Sequence, residues 1–268
     1  MSCGEIIVTN RKKTIIITGA SSGLGRALAI NYANANNKLF LFARSKERLQ
    51  ETVEMCIQNG ADVNAIIADV TDSNAMKNHL DDIANKHGVD VVIACAGVSA
   101  GTLDGPERTL QVNKIFATNI NGVINTVMPL VPHMIRKKSG TIAIVSSMAG
   151  FLGLSSAPSY SASKGAARLF SDALGGYLRE HNVHVSTIIP GYISTPMTEV
   201  NNFPMPFKTS ADKAAQKIIN GIAKNKSVIA FPLIMYYSLR LAGLIPAGIM
   251  RYVNSKLPGK PAFAHDDK

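Results

Sequence analysis

The sequence has no tryptophan, and its 268 residues include only three cysteines. Cys3, Cys56 and Cys95 form no Cys-x-x-Cys pair, which argues against a disulfide framework or a zinc site and favours a reducing, cytoplasmic location. The six histidines form no His-Glu-x-x-His motif and no cluster with cysteine. We therefore predict no metal site.

Long apolar segments are also missing from the sequence. The N-terminal stretch, which ends in two lysines, contains no apolar core of secretory length, so we expect no signal peptide. The longest apolar run, Val228–Leu239, is about half as long as a transmembrane helix and contains Pro232. A membrane-spanning helix is therefore not expected.

Charged residues make up only 17% of the sequence and hydrophobic residues 46%, a balance that excludes a disordered chain. The formal net charge of +10 is unevenly distributed, because residues 1–204 carry +3 and residues 205–268 carry +7. The basic part is also apolar, which favours peripheral contact with an anionic membrane over a nucleic-acid groove. A dimer interface or support of the substrate lid would explain the same apolar character. No aromatic platform supports nucleic-acid binding, and none is predicted.

Short β-rich runs alternate with longer helical stretches over the first two thirds of the chain. This alternation predicts an α/β fold of the Rossmann type, a doubly wound parallel sheet with helices on both faces. No linker separates two cores, so we expect a single domain over residues 1–268. The predicted strands are Thr14–Thr18, Lys38–Phe42, Val63–Ile67, Val91–Cys95, Thr141–Val145 and His184–Ile189, and the first two predicted helices are Gly23–Asn34 and Lys46–Asn59.

An irregular, proline-rich segment follows the sixth predicted strand. Residues 192–210 are too many for an ordinary connection and predict a substrate lid, with a surface excursion as the alternative. Apolar side chains of this segment would either contact an apolar substrate or pack the segment onto the domain: Met197, Phe203, Met205 and Phe207. After a candidate last strand at Val228–Phe231, residues 232–256 predict apolar, basic helices over Leu233–Leu244 and Ala247–Lys256.

A glycine-rich turn joins the first predicted strand to the first predicted helix. Glycines at such a place let the backbone turn tightly and approach a pyrophosphate, and the helix N-terminus offers free N–H groups. The predicted cofactor-binding residues of this turn are Gly19, Ser21, Ser22, Gly23, Leu24 and Gly25.

The end of the second predicted strand carries Ala43, where an enzyme that prefers NAD would place a carboxylate for the ribose hydroxyl. Arg44 and Ser45 follow, and both offer donors to the extra phosphate of NADP. The alternative is a solvated arginine at a strand end. Together with the preceding turn, these residues predict NADP(H) as the cofactor.

Tyr160 and Lys164 are spaced to lie on one face of a helix. The pair suits reduction of a ketone, because a tyrosine can protonate the developing alkoxide and a neighbouring ammonium lowers the pKa of its hydroxyl. Tyr-x-x-x-Lys alone is a weak signal, since it occurs by chance in many chains.

These motifs, in this order over residues 14–196, resemble the classical short-chain dehydrogenase/reductase family, and Ala-Arg-Ser resembles its NADP-preferring branch. The resemblance implies that Ser147, thirteen residues before Tyr160, hydrogen-bonds the substrate oxygen, with Ser146 as the adjacent alternative. It also implies that Asn119 holds a water that relays protons through Lys164.

The same resemblance implies further cofactor contacts along the chain. Asp69 and Val70 would bind the adenine, and Ile193 and Thr195 would contact the nicotinamide carboxamide or the pyrophosphate. Tyr160 and Lys164 would lie beside the nicotinamide ribose. Where the family has Asn-Asn-Ala-Gly, this sequence has an alanine followed by Cys95, Ala96 and Gly97. Two hydrogen-bonding side chains are therefore absent.

Together these residues predict an NADP(H)-dependent oxidoreductase that interconverts a ketone and a secondary alcohol, with Tyr160 as acid and base. The lid suggests a small carbonyl substrate that is apolar. The C-terminal helices resemble the tails of family members that act on lipid or steroid ketones, which implies an acyl chain or a steroid-like body. The resemblance implies a homodimer or homotetramer. The alternative is an NADPH-binding sensor or interaction protein with little turnover, supported only by the altered segment at Cys95.

Overall fold

Seven parallel strands form the central sheet of the computed structural model, which describes residues 12–256 and 258–263. Cys3 and the N-terminal segment considered for a signal peptide lie outside the described residues. In chain order the strands are β1 (Lys13–Thr18), β2 (Asn37–Ala43), β3 (Asp62–Ile67), β4 (Val91–Ala94), β5 (Thr141–Val145), β6 (His184–Pro190), β7 (Ile193–Ser194), β8 (Thr209–Ser210) and β9 (Val228–Phe231).

Eleven α-helices are found in the described part of the chain. They are α1 (Gly23–Tyr32), α2 (Lys46–Gln58), α3 (Ser73–His87), α4 (Thr109–Phe116), α5 (Gly122–Val127), α6 (Val131–Lys137), α7 (Pro158–Leu178), α8 (Pro196–Glu199), α9 (Ala211–Ala223), α10 (Leu233–Ala242) and α11 (Ala247–Ser255). A π-helical turn, Ala117–Asn121, joins α4 to α5, and short 3₁₀ turns occupy Met128–Leu130, Met148–Phe151 and Arg179–His181.

The apolar run of β1 is buried on both faces, as expected of a strand inside a parallel sheet. Ile15 and Ile17 face one core, which includes residues of α1, α2 and α9. Ile16 faces the opposite core, which includes residues of α3, α5 and α7. Each of these isoleucines is at most 1% exposed. The prediction of a doubly wound sheet covered by helices on both faces is therefore confirmed.

The strand order β3-β2-β1-β4-β5-β6-β9 places the point of reversal between β1 and β4. Connections leave these two strands toward opposite sides, which opens a crevice at their carboxyl ends. The candidate last strand is confirmed, since β9 pairs in parallel with β6 from Thr187↔Val228 to Pro190↔Phe231. The crevice is where a ligand of this type of fold is expected.

Several predicted boundaries are wrong by one or two residues. Strand β4 ends before Cys95, helix α1 ends at Tyr32 rather than at Asn34, and the last two helices end at Ala242 and Ser255. The segment 192–210 is less irregular than its prolines indicate, because β7 pairs with β8 and a capping box at Thr195 starts α8. Such pairings depend on contacts that the local sequence does not carry. None of the helices in the described residues is long and apolar enough to cross a bilayer.

Candidate active site

A cleft opens at the carboxyl ends of the central strands. Of the predicted site residues, only Asn119 does not line it. The others do: Gly19, Ser21, Ser22, Gly23, Leu24, Gly25, Arg44, Ser45, Asp69, Val70, Cys95, Ala96, Gly97, Ser147, Tyr160, Lys164, Ile193 and Thr195. Among the residues described, no group of three or more His, Cys, Asp or Glu side chains is placed to hold a metal ion.

The glycine-rich turn brings three backbone segments closer than side chains would allow. A Cβ on Gly19 would lie 2.9 Å from the Cα of Ala96, and Gly19 has a φ of +71°. A Cβ on Gly25 would collide with the carbonyl oxygen of Gly19. Backbone of this kind at a helix N-terminus is shaped to receive a phosphate. The turn thus fits the pyrophosphate of a dinucleotide.

Thr18, at the end of β1, is a site residue that sequence reasoning missed. Its Oγ1 accepts hydrogen bonds from the backbone N–H of Cys95 at 3.1 Å and of Ala96 at 3.3 Å. These bonds hold the loop after β4, where the family's two asparagines are absent. Thr18 opens the glycine-rich motif, but its hydrogen bond reaches a loop 77 residues away in sequence, a role that local spacing does not indicate.

The rim of the cleft beside β2 is basic. Arg44 is exposed, and its Nη1 lies 3.7 Å from Oδ2 of Asp69, while Arg48 is a second lining arginine that the sequence reasoning did not select. The Ser45 side chain caps α2 by accepting from the N–H of Arg48 at 3.4 Å. Asp69 Oδ1 accepts from the backbone N–H and the hydroxyl of Thr71, both at 2.9 Å. Exposed arginines beside the cleft can turn toward a phosphate.

Asn119 is fully buried within the π-helical turn. Its Oδ1 accepts from the N–H of Val98 at 2.8 Å, and its Nδ2 donates to the carbonyl oxygen of Val98 at 2.9 Å and to Ser163 Oγ at 3.0 Å. These bonds attach the loop after β4 to α7. The predicted proton-relay role of Asn119 stays a prediction.

The structure separates the two candidate serines after β5. Ser146 is buried, and its hydroxyl donates to the carbonyl oxygen of Lys164 at 2.8 Å. Both serines line the cleft, but it is Ser147 that hydrogen-bonds with Tyr160, and its Oγ accepts from the N–H of Ala149 at 3.1 Å. Ser147 is therefore the serine placed to meet a ligand.

Tyr160 and Lys164 project from one face of α7, as their spacing predicts. Burial raises the pKa of Tyr160, and its hydrogen bond with Ser147 acts in the opposite direction. Burial lowers the pKa of Lys164 to about 8, and its Nζ donates to the carbonyl oxygen of Val145 at 2.9 Å. The expectation that Lys164 lowers the pKa of Tyr160 is wrong for this structure, because desolvation is the largest influence on the tyrosine.

The remaining predicted residues lie around this centre. Cys95 is a free thiol whose pKa burial raises to about 12, so it is unsuited to act as a nucleophile. Thr195 lies beside the glycine turn, because a Cβ on Gly23 would be 3.2 Å from its Cβ. In the segment 192–210, Met197 lines the cleft, whereas Phe203 packs against the Tyr192 ring with centroids 6.3 Å apart.

The doubly wound sheet, the glycine-rich turn and the cleft at the strand ends define a dinucleotide-binding α/β protein. The family model described as short chain dehydrogenase matches residues 13–204. The chain therefore belongs to the short-chain dehydrogenase/reductase family, and it is an oxidoreductase of the kind that binds a nicotinamide cofactor and acts on small molecules.

Known relatives agree with this assignment. The chain is 34% identical over 235 residues to an uncharacterized oxidoreductase of Myxococcus xanthus, covering 87% of this chain and 93% of the relative. It is 30% identical over 188 residues to the 3-oxoacyl-(acyl-carrier-protein) reductase FabG of Thermotoga maritima, covering 70% and 76%.

Solved structures show the same fold. A short-chain dehydrogenase from Sphingobium yanoikuyae in complex with NADPH aligns with a TM-score of 0.76 at 23% identity, covering 96% of this chain and 100% of that one. A short-chain dehydrogenase/reductase from Burkholderia phymatum in complex with NAD aligns with a TM-score of 0.79 at 24% identity, covering 95% and 98%. The two neighbours thus hold different nicotinamide cofactors.

Proposed function

We propose that the protein is an NADP(H)-dependent oxidoreductase that interconverts a ketone and a secondary alcohol. The observation that carries the choice of cofactor is the basic rim at the end of β2, where Ala43 replaces a carboxylate and Arg44 and Arg48 line the cleft. Arginine binds phosphate by charge-assisted, often paired hydrogen bonds, whereas a carboxylate in place of Ala43 would repel it. The phosphate that distinguishes NADP would meet these arginines.

The glycine-rich turn would hold the pyrophosphate, and the bound nicotinamide supplies or accepts the hydride. Tyr160 donates its hydroxyl proton to the ketone oxygen in reduction. Burial raises the pKa of Tyr160, so the hydroxyl is protonated at neutral pH. Ser147, hydrogen-bonded to the same tyrosine, orients the substrate oxygen. Lys164 brings a positive charge close to both groups and stabilises the developing alkoxide.

The substrate side of the site supports an apolar carbonyl compound, with the segment 192–210 as its lid. Met197 lines the cleft, and an apolar cluster beyond β6 joins Met148 and Ile189 to Tyr236 of α10. Apolar walls with few polar groups are typical of sites for acyl or ring substrates. The 3-oxoacyl reductase activity in the name of one relative is consistent with a ketone on an acyl chain.

Arg44→Ala tests the choice of cofactor. Loss of one charge-assisted contact weakens NADPH binding by about 1.5–3 kcal/mol, roughly ten- to a hundred-fold, and leaves NADH binding unchanged. Fluorescence titration of both cofactors measures this, with Lys46→Ala, one residue into α2 and outside the cleft, as the matched control. Equal losses of NADPH and NADH affinity would refute the assignment.

We also propose that α10 and α11 make peripheral contact with an anionic membrane. Both helices leave apolar side chains exposed, and residues 213–263 contain eight basic and no acidic residues. Apolar faces flanked by Lys and Arg are attracted to anionic lipid. Assembly into a homodimer or homotetramer stays a prediction from the family.

A further inference from the structure

The last described residues form a strap that lies against the loop after β4, beside Tyr160. We define this C-terminal strap as residues 258–263, beyond α11. The N–H of Gly101 donates to the carbonyl oxygen of Pro261 at 2.7 Å, and the N–H of Leu103 donates to that of Lys260 at 2.9 Å. The loop that follows β4 thus pairs with the strap by backbone hydrogen bonds.

Two further contacts fix the strap. The N–H of Ala262 donates to Oδ2 of Asp104 at 3.1 Å, and Lys114 Nζ lies 4.9 Å from the centre of the Phe263 ring. A Cβ on Gly101 would collide with the carbonyl oxygen of Lys260, so that glycine is what allows the close approach. The strap therefore has a defined position beside the loop.

The strap carries the Lys260 side chain to the catalytic tyrosine. Its Nζ lies 5.3 Å from the centre of the Tyr160 ring and donates to Ser99 Oγ at 2.6 Å. Burial lowers the pKa of Lys260 to about 8, and none of the family motifs includes this residue. A second ammonium, besides Lys164, therefore faces the reacting centre.

Neither ammonium has an acidic partner among residues 12–256 and 258–263. Lys164 bonds to a backbone carbonyl and Lys260 to a hydroxyl, and both oxygens are neutral. Among the described acids, Asp104 accepts from Ala262 and Glu107 accepts from the hydroxyl of Ser159 at 2.8 Å, so neither pairs with these lysines. A partly buried cation without a counter-ion is costly, and an anionic ligand would offset that cost.

We propose that Lys260 binds a carboxylate of the ketone substrate, so that the protein acts on an oxo acid with an apolar chain. The inference rests on the proposed ketone reduction and adds the substrate class. The carboxylate would bind at Lys260 and Ser99 on one face of the Tyr160 ring, with the ketone oxygen at Tyr160 and Ser147. The chain would then extend toward Met197.

Binding of unreactive ligands tests this site without turnover. Calorimetry on the NADP-loaded protein compares a straight-chain eight-carbon carboxylate with its methyl ester. The wild type binds the carboxylate at least about tenfold more tightly than the ester. Lys260→Met abolishes that preference, Lys260→Arg retains it, and Lys256→Met, an exposed lysine at the end of α11, is the matched control. No preference in the wild type, or an unchanged one in Lys260→Met, overturns the proposal.

Turnover separates failure of this inference from failure of the proposed function. Medium-chain oxo acids, with the ketone alpha, beta or gamma to the carboxylate, are compared with their methyl esters by NADPH oxidation. Equal turnover of acid and ester overturns the carboxylate site and leaves ketone reduction intact. Carboxylate binding through Lys260 without any turnover contradicts the proposed function instead. If Lys260→Met changes only the pH dependence of ester reduction, Lys260 acts on Tyr160 rather than on a carboxylate. That result also overturns the proposal.

Discussion

At the scale of single residues, burial decides how the proposed catalytic groups are held. Lys164 is 5% exposed and, within the described part of the chain, its ammonium has only a backbone carbonyl as partner, so the folded protein carries a cation that water would solvate better. The lowered pKa, about 8 against an ordinary 10.5, is the measure of that cost. The proposed mechanism thus requires a residue that destabilises the fold.

Lys164→Met is expected to stabilise the protein while abolishing turnover. The lowering of the Lys164 pKa from 10.5 to about 8 means that the buried charge costs the wild type up to about 3 kcal/mol in unfolding free energy. The variant regains this free energy, less the contribution of the lost hydrogen bond to Val145. Because the unfolded state binds the proton more tightly, wild-type stability rises between about pH 8 and 10.5, and the advantage of the variant fades there. Denaturant unfolding at neutral and at high pH measures both effects.

The exposed Lys224 at the end of α9 supplies the matched control, since Lys224→Met removes a solvated charge and should leave stability unchanged. A Lys164→Met protein that is less stable than the wild type at neutral pH would contradict the account.

Residues of the cleft were predictable where spacing carries the information, and not where a distant contact does. Tyr160, Lys164 and Ser147 were found because a helix face and a fixed interval place them. The roles of Thr18 and Lys260 were missed, because their partners Cys95 and Tyr160 lie 77 and 100 residues away in sequence. Only the fold brings these residues together.

At the scale of elements, the turn between β1 and α1 determines whether a dinucleotide can approach the sheet. Gly25 lies in the first turn of α1, and Gly25→Ala places a methyl group against the carbonyl oxygen of Gly19. We expect a loss of about 1–3 kcal/mol in stability from overpacking, together with weaker NADPH binding because the turn must shift. Thermal unfolding and cofactor titration measure the two losses.

Gly176→Ala in α7 is the control, because a Cβ there meets nothing within 4 Å. Alanine is the better helix former, so that variant should be as stable as the wild type or more stable, by up to about 1 kcal/mol. Unchanged NADPH binding and stability in Gly25→Ala would mean that the turn has no need of this glycine.

Central strands such as β1 and β4 were predictable because they are continuous apolar runs buried on both faces, and the bounds of the predicted strands were wrong by at most one residue. The pairing of β7 with β8 and the π-helical turn at Ala117–Asn121 were not predictable. Both features depend on packing. The β7–β8 pair joins the two ends of the lid segment, and the π-helical turn surrounds the buried Asn119. Local sequence contains no period or cap that specifies them.

At the scale of the whole molecule, the positive charge and the exposed apolar surface coincide on the C-terminal helices. Leu241 is 66% exposed and Leu244 81%. The double variant Leu241→Glu/Leu244→Glu should lose binding to phosphatidylcholine vesicles that contain phosphatidylglycerol, because it removes apolar contacts and adds repulsion. Co-sedimentation measures this, and vesicles without phosphatidylglycerol should bind the wild type weakly.

Ile57→Glu on α2, another exposed apolar side chain far from that face in sequence, should leave vesicle binding unchanged. Sedimentation velocity of the same proteins tests the competing occupant, a second copy of the chain. The membrane proposal would be contradicted if the wild type binds no vesicles and the double variant dissociates an oligomer. This face would then be an interface between copies of the chain.

The central claim is that this family member reduces a carbonyl with NADPH through Tyr160. Its most direct test is NADPH oxidation over a panel of apolar ketones and oxo acids by the wild type and by Tyr160→Phe, with cofactor binding measured on both. We predict turnover by the wild type, a loss of about a hundredfold or more in the variant and equal NADPH affinity. Full activity in Tyr160→Phe, or tight NADPH binding without turnover of any carbonyl, would contradict the account.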